Sequence, residues 1–194
     1  MTTALLVEGT TDKRTIRALV TRLAEGTNPR MSLDFRVKTR SKLLDGDYVA
    51  NVVQFDLINV VSRLDRVIVC ADMECDPAED LAAARQRAVE RVQGRQLGIR
   101  VDYHLVRFAL ESWLIADPGA WQRRFRLGPA FCFPSGLSEA CDPRRTVTRF
   151  LKARHVDYRP TLHNAEIASE MDLTVARANC PNLSEFLSLV ESLN

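Results

Sequence analysis

At 194 residues the chain is long enough for one sizeable domain, or for a domain with a small extension. Its 46% hydrophobic and 27% charged content, with a net charge of +2, are ordinary for a globular protein and single out no partner class. No apolar run approaches the roughly 18–20 residues that span a bilayer, and an acid at position 8 interrupts the layout of a secretory leader, so a cytoplasmic protein with no membrane partner is expected.

The stretch "ALLVEGTTDKRTIRALV" opens with a short apolar run, Leu5 to Val7, that reads as a buried strand ending in an acid, Glu8. Asp12 follows before Ile16, Leu19, Val20 and Leu23 take up the i, i+3, i+4, i+7 spacing of one helix face. Gly26, Asn28 and Pro29 end that helix, and Leu33 to Val37 alternates as a strand. Over residues 48–64, Val49, Val53, Leu57, Val60, Val61 and Leu64 repeat at helical spacing. "RVIVCAD", Arg66 to Asp72, is a continuous β-branched run, the pattern of a parallel strand covered on both faces. In "DPAEDLAAARQRAVERV", Asp76 is expected to cap a helix with Pro77 at its first position and Glu79 at its third. Leu81, Ala84, Ala88 and Val92 line its inner face, and Ile99 to Phe108 reads as a further strand. This alternation predicts an α/β fold, a mostly parallel sheet with helices on both faces.

Beyond Phe108 the pattern changes to short helices, two of which open on Asp-Pro, at Asp117-Pro118 and Asp142-Pro143. Trp113 reads as core, and Leu183, Phe186, Leu187 and Val190 form the apolar face of a last helix. The expected organisation is a core over residues 1–115 and a C-terminal α-helical extension over 116–194, packed together as a single structural unit. The five cysteines are odd in number and form no C-x-x-C pair, which argues against zinc and for reduced, mostly buried thiols. The three histidines are isolated from one another, so no nucleophile–base arrangement is built on them.

Charge is unevenly spread. From Trp121 to Arg159 there are nine Lys or Arg against three acids, and from Pro160 to Asn194 one Arg against five acids. Arg145, Arg149 and Lys152 fall on the outer face of a helix whose inner face is Val147, Phe150 and Leu151. That face is either simply solvated or tracks the phosphates of a nucleic acid, and the acidic tail could pair with it and blunt it.

Asp72 and Glu74 lie just past the buried run. In extended backbone, residues i and i+2 point to the same side, so the two carboxylates are expected to converge. Ligands of open α/β sheets bind at the carboxyl ends of strands, and Glu8 holds the equivalent place on the first strand. If the two strands are neighbours, three acids meet at one edge. Grouped acids repel, and a hard divalent cation, Mg²⁺ or Mn²⁺, resolves the conflict. Such an ion polarises a phosphoryl oxygen and activates water for in-line displacement. Asp12 serves this site or only the first turn of its helix; Glu111 likewise serves the metal or the helix start at which it lies.

Glu-Gly after a first strand, followed by an acidic pair after a later buried strand, resembles the Toprim domain of topoisomerases, bacterial primases and the overcoming-lysogenization-defect nucleases. Within that group "VEGTTD", "VIVCADME", "ALESWLIAD" and the tail "AEIASEMDL…CPNLSEFLSLVESL" are most similar to the domain-of-unknown-function family 4276, over nearly the whole chain. The resemblance implies that Glu8 acts as general acid/base or metal ligand and that Asp72 and Glu74 are the D-x-D pair that holds Mg²⁺. It implies further that Asp12 is a second acid of the nuclease-type members, and Glu111 the acid of the E-x-W motif. Two departures stand out, Glu74 for the usual Asp and Asp12 for the usual Glu. The activity implied is metal-dependent endonuclease cleavage of nucleic acid in prokaryotic anti-phage defence, alongside an ABC- or AAA-type ATPase partner. No G-x-x-x-x-G-K-[ST] loop occurs, so ATP would be bound by that other chain. The alternative is a non-catalytic scaffold or sensor subunit that binds the ATPase. A phosphohydrolase or receiver-type domain is a third reading without a distinctive residue to support it. Oligomeric state is left open, a homo-oligomer included.

Overall fold

The computed structural model describes residues 2–26, 32–59, 61, 64–137 and 140–192. Asn28, Pro29 and Val60, and the side chains of Leu33 and Leu81, lie outside what is described. Strands and helices alternate as β1 (Thr2–Val7), α1 (Thr10–Gly26), β2 (Ser32–Val37), α2 (Arg40–Leu43), α3 (Gly46–Asn51), β3 (Leu64–Asp72), α4 (Ala78–Gly94) and β4 (Arg100–Val106). Helices follow to the end of the chain: α5 (Leu110–Ile115), α6 (Pro118–Phe125), α7 (Pro143–Lys152), α8 (Pro160–Glu170), α9 (Leu173–Asn179) and α10 (Pro181–Glu191).

The four strands form one parallel sheet in the order β2-β1-β3-β4. The chain leaves β1 for a neighbour on one side and later returns to its other side with β3. The carboxyl ends of β1 and β3 therefore flank the topological switch point, where open α/β sheets form their crevice.

Register explains the burial pattern. Ala4 lies opposite Val67 and Leu6 opposite Val69, on a face packed with Leu43, Val49, Val53, Leu57, Ala88 and Val92. Leu5, Val7, Ile68 and Cys70 point the other way and are equally buried. A strand buried on both faces has no polar alternation, which is what the "VIVCA" run shows. Gly46 lets α3 lie against α4, because a Cβ there would stand 2.5 Å from the Ala88 carbonyl oxygen.

The expected helix over 48–64 takes a different course. It starts at Gly46, where Asp45 Oδ1 accepts the Tyr48 N–H at 3.1 Å, and continues as a π-helical stretch, Val52–Leu57. The wider turn, closed by Ile58 N–H to the Val53 carbonyl at 3.0 Å, keeps Val52, Val53 and Leu57 all on the buried side. Leu64 instead begins β3.

The chain divides into two compact units. One comprises Met1–Lys13, Pro29–Leu105 and Leu193–Asn194; the other comprises Arg14–Asn28 and Val106–Ser192. The division thus falls at 105/106 rather than at 115/116, and most of α1 belongs to the second unit. Trp113 shows why α5 groups with the later helices: it is fully buried, stacks on Phe186 at 5.0 Å and donates its indole N–H to Asn182 Oδ1 at 2.8 Å. Leu183, Phe186, Leu187 and Val190 are buried along α10 as their spacing predicts. Asp117 and Asp142 cap α6 and α7, each with proline in the first turn.

The cysteines depart from expectation. Cys70, Cys132 and Cys180 are free thiols, of which only Cys70 is buried, whereas Cys75 and Cys141 are exposed and disulfide-bonded. An odd count without a C-x-x-C pair predicts reduced, mostly buried thiols, but Cys75 and Cys141 lie in a turn and a bend that leave them exposed. Among the described residues no helix is long and apolar enough to cross a membrane.

Candidate functional site

Because β1 and β3 are parallel neighbours with Val7 opposite Cys70, the residues that follow emerge side by side. The Asp72 backbone N–H donates to Glu8 Oε1 at 3.0 Å, so the Glu8 carboxylate reaches the backbone of the second strand-end acid. Asp72 is 8% exposed and Glu8 half-buried. Asp12, in the first turn of α1, accepts the Gly9 N–H at 3.0 Å and is itself nearly buried. An acid at that place also answers the positive end of the helix dipole.

The electrostatics record the crowding. Burial chiefly raises the Glu8 carboxyl from 4.5 to about 7; Asp12 and Glu74 add to the rise, against the Asp72 N–H and the Arg40 guanidinium. Cys70, buried below, has its thiol pushed up by burial first and then by Asp72, Asp12 and Glu8. The three acids therefore share one neighbourhood.

Glu74 is placed differently from the expectation. β3 ends at Asp72, and Glu74 adopts left-handed backbone at φ 50°, so the i, i+2 relation of extended chain does not reach it. Its side chain is 62% exposed and lies 3.8 Å from Arg40 Nη1. Asp76 is not the cap of α4 either. The helix begins at Ala78 after Pro77, without a side-chain cap, and the Asp76 carboxylate pairs with Arg40.

Arg40 is the residue that pattern reading missed. From the start of α2 it donates Nε–H to the Asp72 carbonyl at 2.7 Å and Nη2–H to the Met73 carbonyl at 3.1 Å. It sits in "VKTRSKL", a basic stretch without helical or strand period, and only the fold brings it to the end of β3.

Among the described residues, no set of three or more His, Cys, Asp or Glu side chains is arranged to hold a metal ion. In donor chemistry Glu8, Asp72 and Asp12 suit a hard divalent ion: the donors are all oxygens, and burial, with a smaller part from the charge of Asp12, raises the proton affinity of Glu8.

Glu111 lies in the second unit, in the first turn of α5, fully buried. Its Oε1 accepts from Arg144 Nε at 3.0 Å and from Asn164 Nδ2 at 3.1 Å, while Asn164 Oδ1 accepts the Tyr158 hydroxyl. Its Oε2 is buried without a hydrogen-bond partner among the described residues. On α7, Arg145, Arg149 and Lys152 are exposed, and Val147 and Leu151 are buried. Three of the five tail acids pair elsewhere: Glu166 with Arg124 at 2.6 Å, Glu170 with Arg123 at 3.9 Å and Glu191 with Arg177 at 2.6 Å.

Residues 7–191 match the model of a family described as a domain of unknown function, DUF4276. No curated protein matches the chain.

Proposed function

The chain belongs to the DUF4276 family, and for it we propose a Toprim-type, metal-dependent nuclease that hydrolyses phosphodiester bonds of nucleic acid. The observation that supports this reading is the hydrogen bond from the Asp72 N–H to the Glu8 carboxylate at the switch point between β1 and β3, with Asp12 adding to the charge there.

Glu8 and Asp72 would hold Mg²⁺ or Mn²⁺, with Asp12 beside them and Glu74 joining only on leaving Arg40. When bound, the ion supplies charge for a phosphoryl oxygen and acidifies a water. The chain's own groups do the rest. Glu8, whose proton affinity reaches neutrality in the metal-free protein, can hold or release a proton at Oε1 or Oε2. Arg145, Arg149 and Lys152 offer cations to the phosphate backbone. Glu111 enters as a buried acid neutralised by Arg144, a structural role in place of metal ligation.

The Toprim resemblance carries the remaining elements of the proposal: an ABC- or AAA-type ATPase partner, a setting in anti-phage defence and a cytoplasmic location. A second reading, a non-catalytic scaffold that binds the ATPase, is favoured by Glu74, which is turned out toward Arg40. The discriminating experiment is cleavage of mixed DNA and RNA with Mg²⁺ or Mn²⁺, comparing wild type with Asp72→Ala. Cutting by wild type alone is the expected result. No cutting by either, with a candidate ATPase and ATP present, would move the assignment to the scaffold.

A further inference from the structure

We propose that Arg40 grips the phosphate of the substrate, using the guanidinium nitrogen that the fold leaves without a hydrogen bond among the described residues. The substrate named here rests on the nuclease reading; the anion site itself does not.

Two of the three guanidinium nitrogens are committed. Nε donates to the Asp72 carbonyl at 2.7 Å, and Nη2 donates to the Met73 carbonyl at 3.1 Å and to Asp76. These bonds fix the plane of the side chain to the end of β3, one peptide from the carboxylate of Asp72. The third nitrogen, Nη1, forms an ion pair with Glu74 Oε2 at 3.8 Å, beyond hydrogen-bond length. The side chain is 22% exposed, open enough for a ligand to approach.

A brace for the strand end would need no more than Nε and Nη2. A guanidinium held by two edges, with its remaining N–H groups toward an exposed and loosely placed carboxylate, is preorganised for an anion. Glu74 stands where a phosphate oxygen would bind. It is a weak occupant: exposed, outside bonding distance and in left-handed backbone. A phosphodiester arriving at the Glu8–Asp72 site would take the Nη1 protons from Glu74 and release that carboxylate toward a cation. A lysine ammonium keeps its charge but lacks the planar fork that can hold both carbonyls on some edges and offer another to a phosphate, so the role depends on arginine.

The test uses the full-length, metal-free protein. Inorganic phosphate is titrated while the Nε–H resonance of Arg40 is followed by NMR, assigned by its loss in Arg40→Lys. In parallel, anisotropy of a labelled oligonucleotide is read for wild type, Arg40→Lys and Arg40→Gln, and Mn²⁺ affinity is measured for each. Phosphate should shift the Arg40 resonance to saturation. Both variants should bind the oligonucleotide about tenfold or more weakly, the worth of a charged hydrogen bond, with Mn²⁺ affinity retained. An unmoved resonance would overturn the inference. So would variants that bind the oligonucleotide like wild type, or that lose Mn²⁺ and oligonucleotide together, which marks a brace. A wild type that cleaves nucleic acid while its Arg40 ignores phosphate refutes the arginine role alone. An Arg40 that takes phosphate in a protein that never cleaves upholds the anion site and refutes the nuclease.

Discussion

Each unit holds a glutamate near a helix start, Glu111 fully buried and Glu8 half-buried, and the two are neutralised in opposite ways. Glu111 is gripped by Arg144 and Asn164, so its charge is answered inside its own unit. Glu8 accepts the Asp72 N–H, but burial first, and then the field of Asp12 and Glu74, raises its carboxyl to about 7, where a proton answers the charge instead. An acid answered by a guanidinium is part of the packing. On the proposed function, one answered by a proton would accept a cation, because a divalent ion can replace the proton and relieve its neighbours as well.

The largest effect that separates the two is on activity. Asp72→Ala should lower metal-dependent cleavage by about a thousandfold or more, the scale on which removal of a key charge-stabilising group is felt, while Glu111→Gln stays within about tenfold of wild type. Comparable losses from both would erase the distinction, and single-turnover cleavage rates read it directly.

Stability should show the reverse ranking. Arg144→Ala leaves Glu111, fully buried, without its counter-charge and should cost about 3 kcal/mol in denaturant unfolding. Glu111→Ala should cost less, because the Arg144 side chain it leaves behind is 53% exposed and can be hydrated. If Arg144→Ala is the milder of the two, Glu111 is not held as described.

On α7, replacing Arg145, Arg149 and Lys152 by glutamine should reduce the salt dependence of oligonucleotide binding by up to about 3 in the slope of log K against log salt, close to one per cation. Replacing the paired Arg124 should change it less. An unchanged slope in the triple variant would mark a solvated face.

The smallest effect concerns pH. The Glu8 carboxyl is raised above its ordinary 4.5 in the folded protein, so its stabilising contribution is complete below that value and is lost as pH climbs through about 7. Metal-free wild type should therefore lose stability across that window, by about 1 kcal/mol after discounting for the partial exposure of Glu8. Glu8→Gln should flatten this part of the profile, and adding Mn²⁺ near pH 6.5 should release protons from wild type. A wild-type profile as flat as that of the variant would contradict the buried, crowded carboxyl.

Much of the fold was legible because it rests on local pattern. The unbroken apolar run before Asp72 could only be a strand covered on both faces, and Asp-Pro at Asp117 and Asp142 does start helices. Glu8 and Asp72 stand out as candidates because an acid directly after such a run is unusual; that they lie side by side depends on β1 lying beside β3, which no periodicity encodes. Glu74 was placed by assuming extended chain, but Arg40, remote in sequence, ties down the carbonyls of Asp72 and Met73 where the backbone turns. The same pairing took Asp76 from its expected cap. Glu111 was visible as an acid before a helix, yet its partners Arg144 and Asn164 are brought in by tertiary packing alone.

The central claim is that the strand-end acids, and not the buried Glu111, hold the cation. Mn²⁺ titration of the full-length protein, followed by calorimetry for wild type, Asp72→Asn and Glu111→Gln, tests it most directly. The account predicts a binding isotherm in wild type that is lost in Asp72→Asn and preserved in Glu111→Gln. Binding that survives Asp72→Asn, or that disappears only with Glu111→Gln, would contradict it.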